Sequence, residues 1–269
     1  MRFVAPARAA VEPTTLARPP LAHWAEFADL LRGCWPDVAA LNARVRDQRT
    51  PRFVAQTCEL LGDGLHYEQR IFERGQIATR ERNWHDLLNA LAWLRFPQLK
   101  LALNARQVAE IARVGTKRRT RAQCALTHFD EAGVVVLLRD PALLALWDAH
   151  DWHGLFWRQR AAWSDGRIET TVFGHALLEH ALWPGQLLVG KCVSIMRQSG
   201  TVENAVIDAA AAIRTGALLN DPQELRPLPL SGIPGWRHDN EAEDFYSAAP
   251  CFRPLPAGRT YPVRAFGGS

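Results

Sequence analysis

The sequence predicts a mainly helical α+β domain, and three observations point to it. Apolar residues recur at helical spacing through long stretches, notably 83–114 and 201–216. Two shorter segments, 65–80 and 124–140, set β-branched and apolar residues around turn-forming ERGQ and DEAG. From about residue 220, prolines and glycines recur, as in DPQELRPLPLSGIPGW. The expected architecture is one globular domain over 20–269. Two β-hairpins can share a small antiparallel sheet in it, and an extended Pro/Gly-rich C-terminal tail wraps over it. At 269 residues and 48% hydrophobic, the chain can bury a substantial core without covalent staples.

Taken in order, residues 1–19 read as a flexible arm. Pro6 and Arg8 interrupt the apolar run that a signal peptide would need. HWAEFADLLRGCW and PDVAALNARVRDQ give two short helices, the second opened by Pro36. LHYEQRIFERGQIATR, 65–80, reads as the first hairpin. One helix then spans 83–95 and another 97–114, divided by Pro97, because proline ends or kinks a helix. VGTKRRTRAQ is a basic loop, and CALTHFDEAGVVVLLRD the second hairpin, closed at Gly133. Helices resume with PALLALWDAH, GLFWRQRAAW and VFGHALLEHALW, which stops at Pro184-Gly185. TVENAVIDAAAAIRTG has Thr201 as N-cap and Gly216 as terminator.

Composition excludes several classes. Five dispersed cysteines contain no C-x-x-C pair, so zinc ribbons and thioredoxin-type motifs are ruled out and reduced thiols in a cytoplasmic protein are expected. No apolar run approaches the ~20 residues of a membrane span. The net charge of +4 permits acidic ligands without demanding them.

Four clusters carry chemistry. In N-W-H-D, Asn83 and Asp86 are explained as helix-capping residues, whereas His85 is not. His85 and Asn89 share one helix face, and a helix N-terminus favours a neutral imidazole able to act as a base or ligand. LTHFDEAG offers His128, Asp130 and Glu131 beside the second turn, carboxylates that suit a metal or a general base, and Asp130 joins His85 and Asn89 as the candidate catalytic residues. Arg80, Lys100 and Asn104 interrupt the same apolar stretch and are candidates for binding a substrate's anionic group. In FGHALLEHAL, His175 and Glu179 are four apart, a spacing suited to a divalent metal ion. His175 and His180, five apart, point about 140° away from each other and cannot share one. The basic loop supplies Lys117, Arg118, Arg119 and Arg121, a candidate phosphate footprint for nucleic acid. Each cluster also has a plain structural explanation: caps, turns, surface pairs or a solvated loop. GQLLVGKC has Cys192 where a phosphate loop needs Ser or Thr, and it follows a helix rather than a strand, so it is set aside.

The segments YEQRIFERGQIATRERNWHDLLNALAWLRFPQLKLALN, LTHFDEAGVVVL, FGHALLEHALWPGQLLVGK and IPGW resemble the bacterial domain-of-unknown-function 3025 family. The resemblance covers most of residues 20–255. It implies a bacterial single-domain protein and no particular catalysis. The residues themselves favour a hydrolase-like enzyme whose His, Glu and Asp side chains meet in a pocket that takes a small anionic, phosphate-containing substrate. The alternative is a non-catalytic module that binds nucleic acid or an acidic partner through 113–121. The two readings part on whether His85 and His175 share one pocket.

Overall fold

The computed structural model describes residues 3–262. Its early elements are α1 (Pro13–Leu16), α2 (Ala28–Leu31), α3 (Val38–Asn42), β1 (Arg52–Ala55), α4 (Cys58–Leu61), α5 (Tyr67–Arg74) and β2 (Gln76–Thr79). The middle of the chain holds α6 (Trp84–Arg95), α7 (Pro97–Val114), α8 (Arg121–Ala132), β3 (Gly133–Leu138) and α9 (Pro141–Asp148). β4 (Ile168–Val172), α10 (His175–His180), β5 (Val189–Met196), α11 (Val202–Thr215), β6 (Arg226–Pro229) and α12 (Phe245–Ala248) follow. Short 3-10 and π turns fill several of the connections, including 154–163, where a longer helix was expected.

β3 contains no polar side chain, and such a strand must be covered on both faces. It lies inside a four-stranded mixed sheet of order β4-β3-β5-β6, with Val134 to Leu138 fully buried. β3 runs parallel to β5 and antiparallel to β4, and β6 closes the far edge antiparallel to β5. α8 and α11 pack against this sheet, and α7 lies against α5, α8 and α11. A second, two-stranded sheet pairs β1 with β2 in parallel.

The α+β class therefore holds, and neither expected hairpin forms. Residues 67–74 are helical: Gly75, in the left-handed region at φ 63°, ends α5 and sends the chain into β2. In 121–132 the apolar residues Ala122, Ala125, Leu126 and Phe129 fall at i, i+3, i+4 and i+7, a helical period. Thr120 and Gln123 close a capping box at the start of that helix, so DEAG is a helix end running into β3. The sheet is mixed because β3 reaches β5 by a crossover through β4 and α10, which a hairpin meander cannot provide.

α6 and α7 match expectation closely, with Asn83 accepting from the Asp86 amide and Pro97 opening α7. α11 begins after the Thr201 capping box and ends at left-handed Gly216. The N-terminal helical pair is shorter than expected: the first segment is a 3-10 turn followed by α2, and Asp37 rather than Pro36 caps α3. In the segment expected as an arm, Arg8 donates to the carbonyls of Leu30, Arg32 and Gly33, and its guanidinium lies over Trp35 and Trp84. In the segment expected as a tail, β6 joins the sheet, and residues 263–269 lie outside the described residues. No described helix is long and apolar enough to cross a membrane.

Candidate metal centre

A polar cavity of about 360 Å³ opens between α5, α6, α7, α8 and the start of α10. α6 presents His85 and Asn89 to it, α7 presents Lys100 and Asn104, and in each pair the four-residue spacing keeps both groups on one face. α5 contributes Tyr67 and Glu68, α8 Asp130 and Glu131, and α10 His175.

A backbone crossing sets this arrangement. The Gly133 carbonyl accepts from the amides of both Phe173 and Gly174, each at 2.9 Å. A Cβ on Gly174 would stand 2.3 Å from the Gly133 nitrogen, so only glycine fits there. The start of α10 is thereby pressed against the end of α8, which puts His175 beside Asp130 and Glu131.

His85 and His175 meet edge to face, with ring centroids 4.5 Å apart and their Nε2 atoms 3.1 Å apart. Glu131 Oε2 lies 3.5 Å from His175 Nε2. One donor atom from each of His85, Glu131 and His175 falls within 4.8 Å of the others. Two nitrogens bound to one ion at about 2.0–2.1 Å are about 2.9–3.4 Å apart at octahedral to tetrahedral angles, so the imidazole spacing suits a shared ion.

The surrounding groups match that use. Glu179 does not face the same point as His175; its Oε2 accepts from His85 Nδ1 at 3.1 Å, which turns the Nε2 lone pair toward His175. A carboxylate behind a ligating imidazole fixes tautomer and orientation in this way. Nδ1 of His175 is buried without a hydrogen-bond partner and faces Asp130 Oδ2 at 3.9 Å. Histidines 85 and 175 with Glu131 thus form a set able to hold a divalent ion and leave coordination positions open.

Behind it runs a chain of hydrogen bonds. Lys100 Nζ donates to Asp130 at 2.6 Å and to Asn89 at 2.8 Å, and Asn89 Nδ2 donates to the Tyr67 hydroxyl at 2.9 Å. Lys100 is 4% exposed, a burial that its partner carboxylate makes tolerable, and its ammonium also lies 5.3 Å from the Trp93 ring centre. Asn104 Nδ2 donates to the Glu68 carbonyl at 2.9 Å and to its carboxylate at 2.6 Å.

These surroundings move the acidities. Burial, aided by the Lys100 ammonium, outweighs the nearby Asp130 charge and pushes His175 down to about 3, so it is neutral and available as a ligand at neutral pH. Burial raises Asp130, but Lys100 and His175 more than offset this and hold it below its ordinary range. Burial lifts Glu131, and it lifts Glu68 to about 7. His85 is raised, chiefly by its bond to Glu179. The helix-end effect expected to keep it neutral is outweighed by that carboxylate.

Of the residues nominated from sequence, Arg80, His85, Asn89, Lys100, Asn104, Asp130 and His175 all border this cavity. Arg80 is clamped to Asp86, donating from its backbone amide, Nε and Nη2. The basic loop divides. Arg118 and Arg119 reach the cavity mouth, Arg121 pairs outside it with Asp221, and Lys117 is exposed. His128 is exposed, and His150 bonds to the Arg253 carbonyl and the Tyr261 hydroxyl, apart from the cavity.

A family model described as a protein of unknown function, DUF3025, matches residues 51–256. The chain belongs to the DUF3025 family. No curated protein and no solved structure matches it. The matched span of this DUF3025 member contains His85, Glu131, His175 and Glu179.

Sequence reasoning did not place Tyr67 or Glu68 among the candidate site residues of this DUF3025 member, and it offered Glu131 only beside a hairpin turn, not with His85 and His175. For the first two the missing signal was the helical phase of 67–74, hidden when that segment is read as a strand. For Glu131 it was the phase of α8, which puts Gln123, Thr127, Asp130 and Glu131 on the cavity side.

Proposed function

We propose that the chain is a metal-dependent enzyme, hydrolytic in type, that acts on a small anionic substrate within the cavity. One observation carries this reading. His85, Glu131 and His175 converge at separations suited to one divalent ion, with Glu179 already bonded to the far nitrogen of His85. A divalent ion held there supplies a Lewis acid that lowers the pKa of bound water and polarises a substrate oxygen.

The chain's own residues have separable tasks. His85, Glu131 and His175 hold the ion, and Glu179 fixes the tautomer of His85. Asp130, neutralised by Lys100, faces Nδ1 of His175 across 3.9 Å and favours the tautomer protonated there, which leaves Nε2 free for the ion. The Tyr67 oxygen accepts from Asn89, so its own proton is left to donate to a bound ligand. Glu68, lifted by burial to about 7, is protonated in a sizeable fraction of molecules at neutral pH, the state that can pass a proton to a departing group. Arg80, Lys100 and Asn104 shape the substrate's seat through the carboxyl groups they hold in place.

The test is calorimetric titration of the chelator-treated full chain with zinc(II) and manganese(II), followed by an assay of the loaded protein against phosphoesters. One equivalent of ion should bind to the wild type, none to His175→Ala, and Glu131→Gln should bind more weakly. Absence of binding, or binding indifferent to both substitutions, overturns the reading.

A further inference from the structure

The cavity's charges are unevenly settled. Four carboxyl groups line it, Glu68, Asp86, Asp130 and Glu131. Arg80 is paired with Asp86 and Lys100 with Asp130, so each of these charges is already matched by a carboxylate of the chain. A divalent ion between His85, Glu131 and His175 would balance Glu131, and Glu68 is held close to neutrality by burial. What remains is Arg118 and Arg119.

These two border the same cavity, and among the described residues neither makes a hydrogen bond or an ion pair. Their neighbours in the basic run behave differently: Arg113 pairs with Glu110 and Arg121 with Asp221, both on the outside. Arg119 is close enough to Glu68 and His66 to act on both electrostatically. A guanidinium is a fork of donors that takes the oxygens of an oxyanion in pairs, and two of them border the mouth of this small polar chamber. A volume of about 360 Å³ is at the lower end for ligand pockets, enough for a small metabolite and too little for a nucleic-acid strand.

We propose that Arg118 and Arg119 form an oxyanion seat that holds the phosphate- or carboxylate-type end of a small substrate, directing its other end to His85, Glu131 and His175. The seat gives the substrate class for the metal-dependent reading and rests on it for the reacting end alone. Anion capture itself needs only the two arginines. The chamber then works with two poles, one that orients by charge and one that reacts.

The experiment titrates inorganic phosphate and succinate into the full chain, before and after chelation, for the wild type, Arg118→Ala/Arg119→Ala and His175→Ala. Both arginines are exposed on a loop, so the double variant should melt as the wild type does. Phosphate should bind the wild type and His175→Ala with millimolar or tighter affinity that weakens as salt rises, and at least about tenfold more weakly in the double variant. Zinc binding should survive in the double variant and fail in His175→Ala, which separates the two claims. Phosphate in preference to succinate identifies a phosphate-type group, and equal binding a general oxyanion seat. No binding of either anion, or equal binding by the double variant, overturns the seat. So does binding of a single-stranded oligonucleotide that exceeds phosphate and is lost in the double variant, because the loop is then a nucleic-acid surface. If zinc fails to bind the wild type while phosphate behaves as expected, the metal reading falls and the seat stands.

Discussion

The cavity and the HDWH junction at 150–153 are built from similar materials and do different things. Each sets a buried histidine among aromatic rings and carboxylates. At the junction every nitrogen of His150 is used: Nδ1 meets the Arg253 carbonyl at 3.2 Å and Nε2 the Tyr261 hydroxyl at 2.9 Å, with the ring against Trp152. His153 closes on Glu243, and Asp151 accepts from the Gly154 amide. In the cavity, by contrast, the two Nε2 atoms of His85 and His175 meet only each other, 3.1 Å apart, with the Glu131 carboxylate beside them, and Nδ1 of His175 has no partner. A histidine whose nitrogens all end on the protein serves the fold, because removing it orphans buried groups. A pair whose nitrogens converge beside a carboxylate is the arrangement that the proposed metal site requires.

That contrast can be broken in four ways. Replacing His175 with Ala should lower zinc affinity by more than about 100-fold, beyond the 10–100-fold typical of an outer-shell loss, and titration calorimetry will show it. If affinity holds, the cavity histidines are structural like those of the junction. Glu179→Gln keeps the shape behind His85 and removes the charge, so zinc affinity should fall about 10–100-fold with little change in melting temperature. His150→Ala should show the opposite pattern, a loss of about 1–3 kcal/mol in denaturant unfolding with zinc affinity unchanged. A metal defect in that variant would abolish the distinction between the two regions.

The smallest effect concerns pH. The Glu68 carboxyl is raised in the folded chain from its ordinary 4.5 to about 7, so between those values the folded state binds more protons than the unfolded state. Stability from this group therefore falls as pH rises through that window, by on the order of 1–3 kcal/mol. Glu68→Gln mimics the protonated form, so its stability relative to wild type should increase from pH 4.5 to 7 and level off above. Parallel stability curves for the two proteins would show that Glu68 ionises freely.

Much of this was legible in the residues, and the limits have physical causes. Helices α6, α7 and α11 carry their own start and stop chemistry in Asn83, Pro97, Thr201 and Gly216, so local rules suffice for them. Polar residues inside the apolar stretch 79–104 point inward because Lys100 and Asn104 are buried against partners from other helices. The partners themselves were not legible. Helical spacing puts His175 and Glu179 on one face and suggests that they share an ion, yet Glu179 turns to His85, a residue 94 positions away. Glu131 came from a segment whose alternation around DEAG imitates a hairpin, and the competing helical period of α8 prevailed through its capping box. β3 pairs with β5 in parallel through a long crossover that carries β4 and α10, a connection that local turn signals do not express.

The shared Gly133 carbonyl has a consequence for how the chamber moves. It joins the first residue of the most buried strand to the residue before α10, so the wall carrying Glu131 and His175 is tied to the centre of the sheet. The opposite side, the exposed loop at 115–119, has no such tie. Amide hydrogens near Gly174 should exchange only when the whole domain opens, whereas those of the loop exchange through small local excursions. For the proposed site, breathing at the mouth would admit and release a ligand while the wall of His175 and Glu131 keeps its spacing, so access and alignment would be governed by separate free energies.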